Sequence, residues 1–109
     1  MQVYVLKQIH KTHENNLVLR EIVLNQVLDH PNIVKLNKLI ETPEKFNLIF
    51  DYCNQGDLFY YIKSHAKFAE SLVKSFVIDI LSSIVYCHDQ FIAHRDIKPE
   101  NIGVHIADD

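Results

Sequence analysis

The spacing of apolar and polar positions changes several times along the chain, and each change predicts an element. Residues 3–9, Val-Tyr-Val-Leu-Lys-Gln-Ile, are rich in strand formers and read as a strand ending in polar residues. A charged connection over residues 10–16 follows, with no glycine or proline. Over residues 17–28, Leu17, Leu24, Val27 and Leu28 fall at helical spacing and predict an amphipathic helix. Asp29-His30-Pro31-Asn32 stops it, because proline disfavours helix at the residue before it. Residues 33–36 and 47–50 are short strand candidates flanking the turn-like Thr42-Pro43-Glu44-Lys45, an arrangement suited to antiparallel pairing. Asn54-Gln55-Gly56-Asp57 is the clearest interruption; it reads as a hinge-like loop, with Asp57 placed to cap a short helix ending at residue 65. The strongest helix is predicted over residues 71–88, capped by Ser71 or Glu70. Leu72, Val73, Phe76, Val77, Ile80, Leu81, Ile84 and Val85 form its wide apolar stripe. This order predicts an α+β fold, a small antiparallel sheet with one helix followed by a mainly helical segment.

Composition narrows the function classes. A chain of 109 residues suits one small domain or a piece of a larger one, and 48% apolar with 23% charged residues is globular in type. A net charge of −3 supplies no electrostatic footprint for nucleic acid or anionic lipid, so neither is expected as a partner. No apolar run approaches the roughly 20 residues needed to span a bilayer. The first ten residues lack the basic flank and long apolar stretch of a signal peptide. Cys53 and Cys87, 34 positions apart, have no metal or redox spacing and read as buried free thiols. That usage fits a reducing, intracellular compartment, cytoplasmic or nuclear.

The candidate chemistry is concentrated in His94-Arg95-Asp96-Ile97-Lys98-Pro99-Glu100-Asn101. Pro99 argues for a stiffened loop over a helix interior. In a loop, Asp96, Lys98 and Asn101 can converge on one small volume. Phosphoryl transfer needs such a trio: an acceptor for a hydroxyl proton, a cation near the transferred group and an oxygen ligand for magnesium. The string H-R-D-x-K-x-x-N resembles the catalytic loop of eukaryotic protein kinases, and its lysine is similar to the serine/threonine branch. The resemblance implies ATP and Mg2+ as cofactors and a protein serine or threonine as acceptor. It casts Asp96 as the catalytic base, Lys98 as the γ-phosphoryl cation and Asn101 as a magnesium ligand, with His94 structural and Arg95 facing an activation-loop phosphate.

Other segments match the same family in order. Val5-Leu6-Lys7 resembles the V-A-I-K strand, whose lysine pairs the α- and β-phosphates. Arg20-Glu21-Ile22 resembles the helix that supplies the carboxylate partner of that lysine. Glu21 shares a helical face with Leu17, Leu24 and Leu28, which predicts that it points toward the sheet and pairs Lys7. His30-Pro31-Asn32-Ile33-Val34-Lys35-Leu36 is also kinase-like. Asn47-Leu48-Ile49-Phe50-Asp51-Tyr52-Cys53 is similar to the strand entering the interlobe hinge. There Phe50 would limit the depth of the nucleotide pocket, and backbone groups of Asp51 and Cys53 would bond the adenine edge. Asp57 matches the acidic residue past the hinge, able to reach the ribose or a basic substrate side chain while still capping its helix.

The resemblance implies a partial kinase domain: residues 1–53 as an N-lobe without its glycine-rich loop, and residues 54–109 as hinge-proximal helices and catalytic loop of a truncated C-lobe. Asp108, in Ile106-Ala107-Asp108-Asp109, echoes the D-F-G magnesium ligand, yet only six residues separate it from Asn101, where the family has a complete hairpin. Val5 stands for a small residue above the adenine, Gly103 for a large apolar floor residue, and Asn25 for an apolar member of the interlobe stack. Two readings follow. One is a serine/threonine kinase sequence with weak or no activity in these residues alone. The other is a non-catalytic, pseudokinase-like interaction module, in which a protein partner covers an exposed edge at the Lys7 strand and the apolar stripe of the long helix.

Overall fold

A computed structural model of the chain describes residues 2–12, 16–65, 67–93 and 97–107. The chain divides into two units, Met1–Tyr52 and Cys53–Asp109, each with its own buried residues.

In the first unit, strands β1 (Tyr4–His10), β2 (Leu36–Glu41) and β3 (Lys45–Asp51) form an antiparallel sheet in the order β1-β3-β2, and helix α1 (Asn16–Val27) lies between β1 and β2 in sequence. The period of two along β3 puts Phe46 and Leu48 on one face, where they are 5% and 2% exposed. Ile22 of α1 and Leu36 complete this core, with Ile9, Val18, Leu39 and Phe50 packed against it. The hairpin is closed by the Thr42 amide on the Lys45 carbonyl at 2.9 Å and by the Lys45 amide on Thr42 Oγ1 at 3.0 Å. Pro43 and Glu44 form its tip, as the sequence predicts.

Two expectations are corrected here. The second strand is residues 36–41 and not 33–36. A register shift between Leu36 and Lys38 breaks the period of two, so its apolar residues do not alternate in the sequence. The inward face of α1 is Val18 and Ile22, whereas Leu17 is 80% and Val27 62% exposed. This helix is apolar on nearly every side, so spacing alone does not choose its buried stripe.

The second unit contains α2 (Leu58–Ser64), α3 (Glu70–Asp89) and a single 3-10 turn (Pro99–Asn101). Asp57 caps α2 as predicted, its Oδ1 accepting from the Tyr60 amide at 2.8 Å. Tyr61, 5% exposed, is surrounded by the rings of His65, Phe68 and Phe76 at 4.0, 5.7 and 5.9 Å between centroids. On α3, Leu72, Phe76, Ile80 and Ile84 are half-buried, while Val73, Val77, Leu81 and Val85 form an exposed ridge at intervals of four. Its N-cap is Ala69 with no side-chain cap bond, in place of the predicted Ser71 or Glu70. Glu70 instead opens the first turn, where its charge complements the helix dipole. The expectation that no segment is long and apolar enough to span a bilayer is also corrected. By length and composition α3 is such a helix, although it carries Lys74 and Asp79 mid-length. Both cysteines are thiols outside any disulfide, as expected, but half-buried and not buried.

At its other end α3 closes with two bonds, Phe91 N–H to the His88 carbonyl at 3.0 Å and Ile92 N–H to the Cys87 carbonyl at 2.8 Å. This pattern needs a left-handed residue at the first non-helical position, usually glycine. Phe91 fills it with φ 60° and is 99% exposed.

Candidate active site

In the first unit, β1 carries Lys7 opposite Leu48 on the central strand, and α1 presents Glu21 toward it. Lys7 Nζ lies 3.6 Å from Glu21 Oε1, with the side chains 53% and 57% exposed. The predicted partners therefore meet, but Glu21 does not turn into the core. Ile22 takes the inward position, which leaves Glu21 about 100° round the helix at the sheet margin. An exposed pair of this kind contributes about 0–1 kcal/mol. Its consequence is positional: it brings the Lys7 ammonium to the margin of the sheet beside α1.

Neighbouring candidates are placed as follows. Phe50 packs on the core of this unit. The Asp51 carboxylate accepts from Asn37 Nδ2 at 2.7 Å, and its amide donates to the Lys35 carbonyl at 3.1 Å. Sequence reasoning did not anticipate the Asn37 contact, since the register shift in β2 is what brings it there. Asn25 is half-buried, and its Nδ2 donates to the Glu21 carbonyl at 3.0 Å, so its amide is not left unpartnered. An open cavity of about 310 Å³ lies among Leu28, His30, Pro31 and Asp51 and is lined by neither Lys7 nor Glu21.

In the second unit, residues 53–58 run antiparallel to residues 102–106. The Gln55 amide donates to the Val104 carbonyl at 3.0 Å, the Val104 amide to Gly56 at 2.8 Å and the Leu58 amide to Ile102 at 2.7 Å. Asn54 extends the pairing with its side chain, donating to the Ile106 carbonyl at 2.7 Å and accepting from the Ile106 amide at 2.9 Å. The Asn-Gln-Gly run signalled the turn, but nothing in it signalled this latch. Gly56 sits at φ 71°, a conformation that side chains disfavour. The ribbon holds the 3-10 turn beside the start of α2. Lys98 precedes that turn and Asn101 ends it, joined by the Asn101 amide on the Lys98 carbonyl at 2.9 Å. Pro99 occupies the first position of the turn, where its missing N–H costs nothing. Asp57, Lys98 and Asn101 are thus tied to one short stretch of backbone. His94, Arg95, Asp96 and Asp108 lie outside the described residues.

The donors fit the groups assigned to them by resemblance. Asn101 offers an amide oxygen and Asp108 a carboxylate, hard oxygens suited to Mg2+, Asp96 a carboxylate able to accept a proton, while Lys7 and Lys98 are point charges suited to phosphate.

Comparison with known proteins shows the family. A family model described as the protein kinase domain matches residues 1–108. The chain is 41% identical over 103 residues to calcium-dependent protein kinase 5 of Plasmodium berghei (strain Anka), covering 93% of this chain and 18% of that protein. It is 40% identical over 111 residues to serine/threonine-protein kinase DCLK3 of Mus musculus, covering 99% of this chain and 14% of that protein. It therefore spans less than a fifth of these relatives. Among solved structures it resembles Rad53 1–466 in complex with AMP-PNP, with a TM-score of 0.76 and 33% identity over 90% of this chain and 26% of that one.

Proposed function

The chain belongs to the protein kinase family, and from that premise we propose that it serves ATP-dependent phosphoryl transfer to a serine or threonine hydroxyl of a protein substrate. The observation that supports the reading is the Lys7–Glu21 pair at 3.6 Å, which adds little stability where it stands and sets the lysine beside the carboxylate that the kinase resemblance assigns to it. Lys7 holds the α- and β-phosphates, and backbone groups of Asp51 and Cys53 hold the adenine edge. Asp57 reaches the ribose or a basic substrate side chain. Asp96 takes the hydroxyl proton and Lys98 neutralises charge on the γ-phosphoryl group. Asn101 and Asp108 would hold Mg2+, which would supply positive charge to offset that of the phosphates. Lys98 within the loop and the names of the relatives favour serine or threonine over tyrosine as acceptor. An intracellular setting, cytoplasmic or nuclear, accords with ATP as donor.

The only glycines among the 109 residues are Gly56 and Gly103, so these residues supply no glycine-rich phosphate lid. Transfer by this chain alone is expected to be weak or absent, and nucleotide binding is the sharper readout. Calorimetric titration with ATP should show binding that requires Mg2+ and is lost in Lys7→Ala and Asn101→Ala. Any phosphorylation of a protein substrate should vanish in Asp96→Asn. Absence of Mg2+-dependent binding in the unsubstituted chain would remove the catalytic reading.

A second reading, a non-catalytic interaction module, is favoured by one observation. Among the described residues β1 is an edge strand with Tyr4, Val5 and Leu6 exposed, and α3 exposes its Val73–Val77–Leu81–Val85 ridge. Stable association without nucleotide binding would support it. A monodisperse monomer that binds Mg2+ and ATP would count against it.

A further inference from the structure

Gly103 is a glycine for want of space and not for its backbone. Its φ is not positive; among the described glycines only Gly56 has that property. A Cβ placed on Gly103 would lie 2.6 Å from Cys53 Sγ, closer than real side chains approach, and 3.2 Å from Cys53 Cβ, a tight contact. Cys53 therefore occupies the volume that a side chain at position 103 would need. The two residues cannot slide apart, because the ribbon that joins them is bonded on both sides of Gly103, from Leu58 N–H to the Ile102 carbonyl at 2.7 Å and from Gln55 N–H to the Val104 carbonyl at 3.0 Å. Cys53 is half-buried.

Resting on the reading that adenine binds at the Cys53 backbone, we propose that the Cys53 side chain, in place of one at position 103, forms the surface beneath the purine. Sulfur is polarizable and packs well against aromatic faces, so a purine is the ligand this surface suits. Cys53 and Gly103 are then a size-exchanged pair. Enlarging position 103 damages the nucleotide site only while the thiol is present, and bound nucleotide shields the thiol.

The test uses the full 109-residue chain with Cys87→Ser throughout, comparing this parent with Gly103→Ala, Cys53→Ala and the double variant. The probes are a fluorescent ATP with Mg2+, thermal melting and iodoacetamide labelling. Gly103→Ala should weaken nucleotide binding on the order of tenfold while Cys53 is present and change it little in the Cys53→Ala background. Saturating Mg2+ and ATP should slow alkylation of Cys53. Equal effects of Gly103→Ala in both backgrounds, or alkylation unaffected by nucleotide, would overturn the proposal. If Gly103→Ala alone fails to fold, recovery of folding and binding in the double variant supports the pair, and failure of both overturns it. If the parent binds no nucleotide, the functional reading fails by itself. The melting temperatures then decide the pair, a non-additive cycle supporting it and an additive one refuting it.

Discussion

Replacing Phe91 with glycine should stabilise the second unit, although it deletes an aromatic side chain. Phe91 closes α3 in the left-handed region at φ 60°, where a residue with a Cβ is penalised by about 1–2 kcal/mol. The ring is 99% exposed, so its removal forfeits almost no burial. Glycine relieves the backbone but has more freedom to lose on folding, which returns about 0.5–1 kcal/mol. The net gain is about 0–1.5 kcal/mol, centred on about 0.8, a rise in melting temperature of about 3–6 °C at that centre for a unit of this size. Urea unfolding followed by far-ultraviolet circular dichroism measures it, with Phe91→Ala as control. Alanine keeps the unfavourable φ, so it should stay within about 0.5 kcal/mol of the parent. A glycine variant less stable than the parent, or an alanine variant that gains as much, would show that backbone strain at Phe91 does not limit this end of α3.

Three further outcomes follow from the same geometry. Asp57→Ala should cost about 1 kcal/mol through loss of the bond to the Tyr60 amide, while Asp57→Asn, an equally good cap, should cost only a few tenths in the same unfolding assay. Leu48→Ala, at a site 2% exposed, should cost about 2–5 kcal/mol. A unit of this size holds about 3–8 kcal/mol in all, so hydrogen exchange should show β1 and β3 amides losing most of their protection. Lys7→Ala should change melting by no more than about 1 kcal/mol, since its partner is an exposed Glu21, and yet abolish nucleotide binding.

Much of the fold was legible because local chemistry and tertiary structure agree. Thr42-Pro43-Glu44-Lys45 is a hairpin turn by composition and by bonding, and Asp57 is a cap in both. The misreadings have physical causes. Apolar residues surround α1, so the leucine spacing selected a face that Ile22 and Val18 do not share. The shift at Leu36–Lys38 hid a strand whose polar Asn37 and Lys38 look like loop. The Lys7–Glu21 pair was readable from the order of motifs, whereas its exposure depends on which side of α1 meets the sheet. The Asn54 latch and the Cys53–Gly103 contact join residues about fifty positions apart, beyond the reach of any local pattern.

Whether this chain holds a nucleotide with these residues can be read from amide nuclear magnetic resonance. A uniformly labelled sample would be titrated with ATP, with and without Mg2+. Saturable shifts centred on Lys7, Cys53, Lys98 and Asn101 are expected, dependent on Mg2+ and lost in Lys7→Ala. A spectrum unchanged by ATP, or shifts confined to residues remote from these four, would contradict the nucleotide-binding role assigned to them.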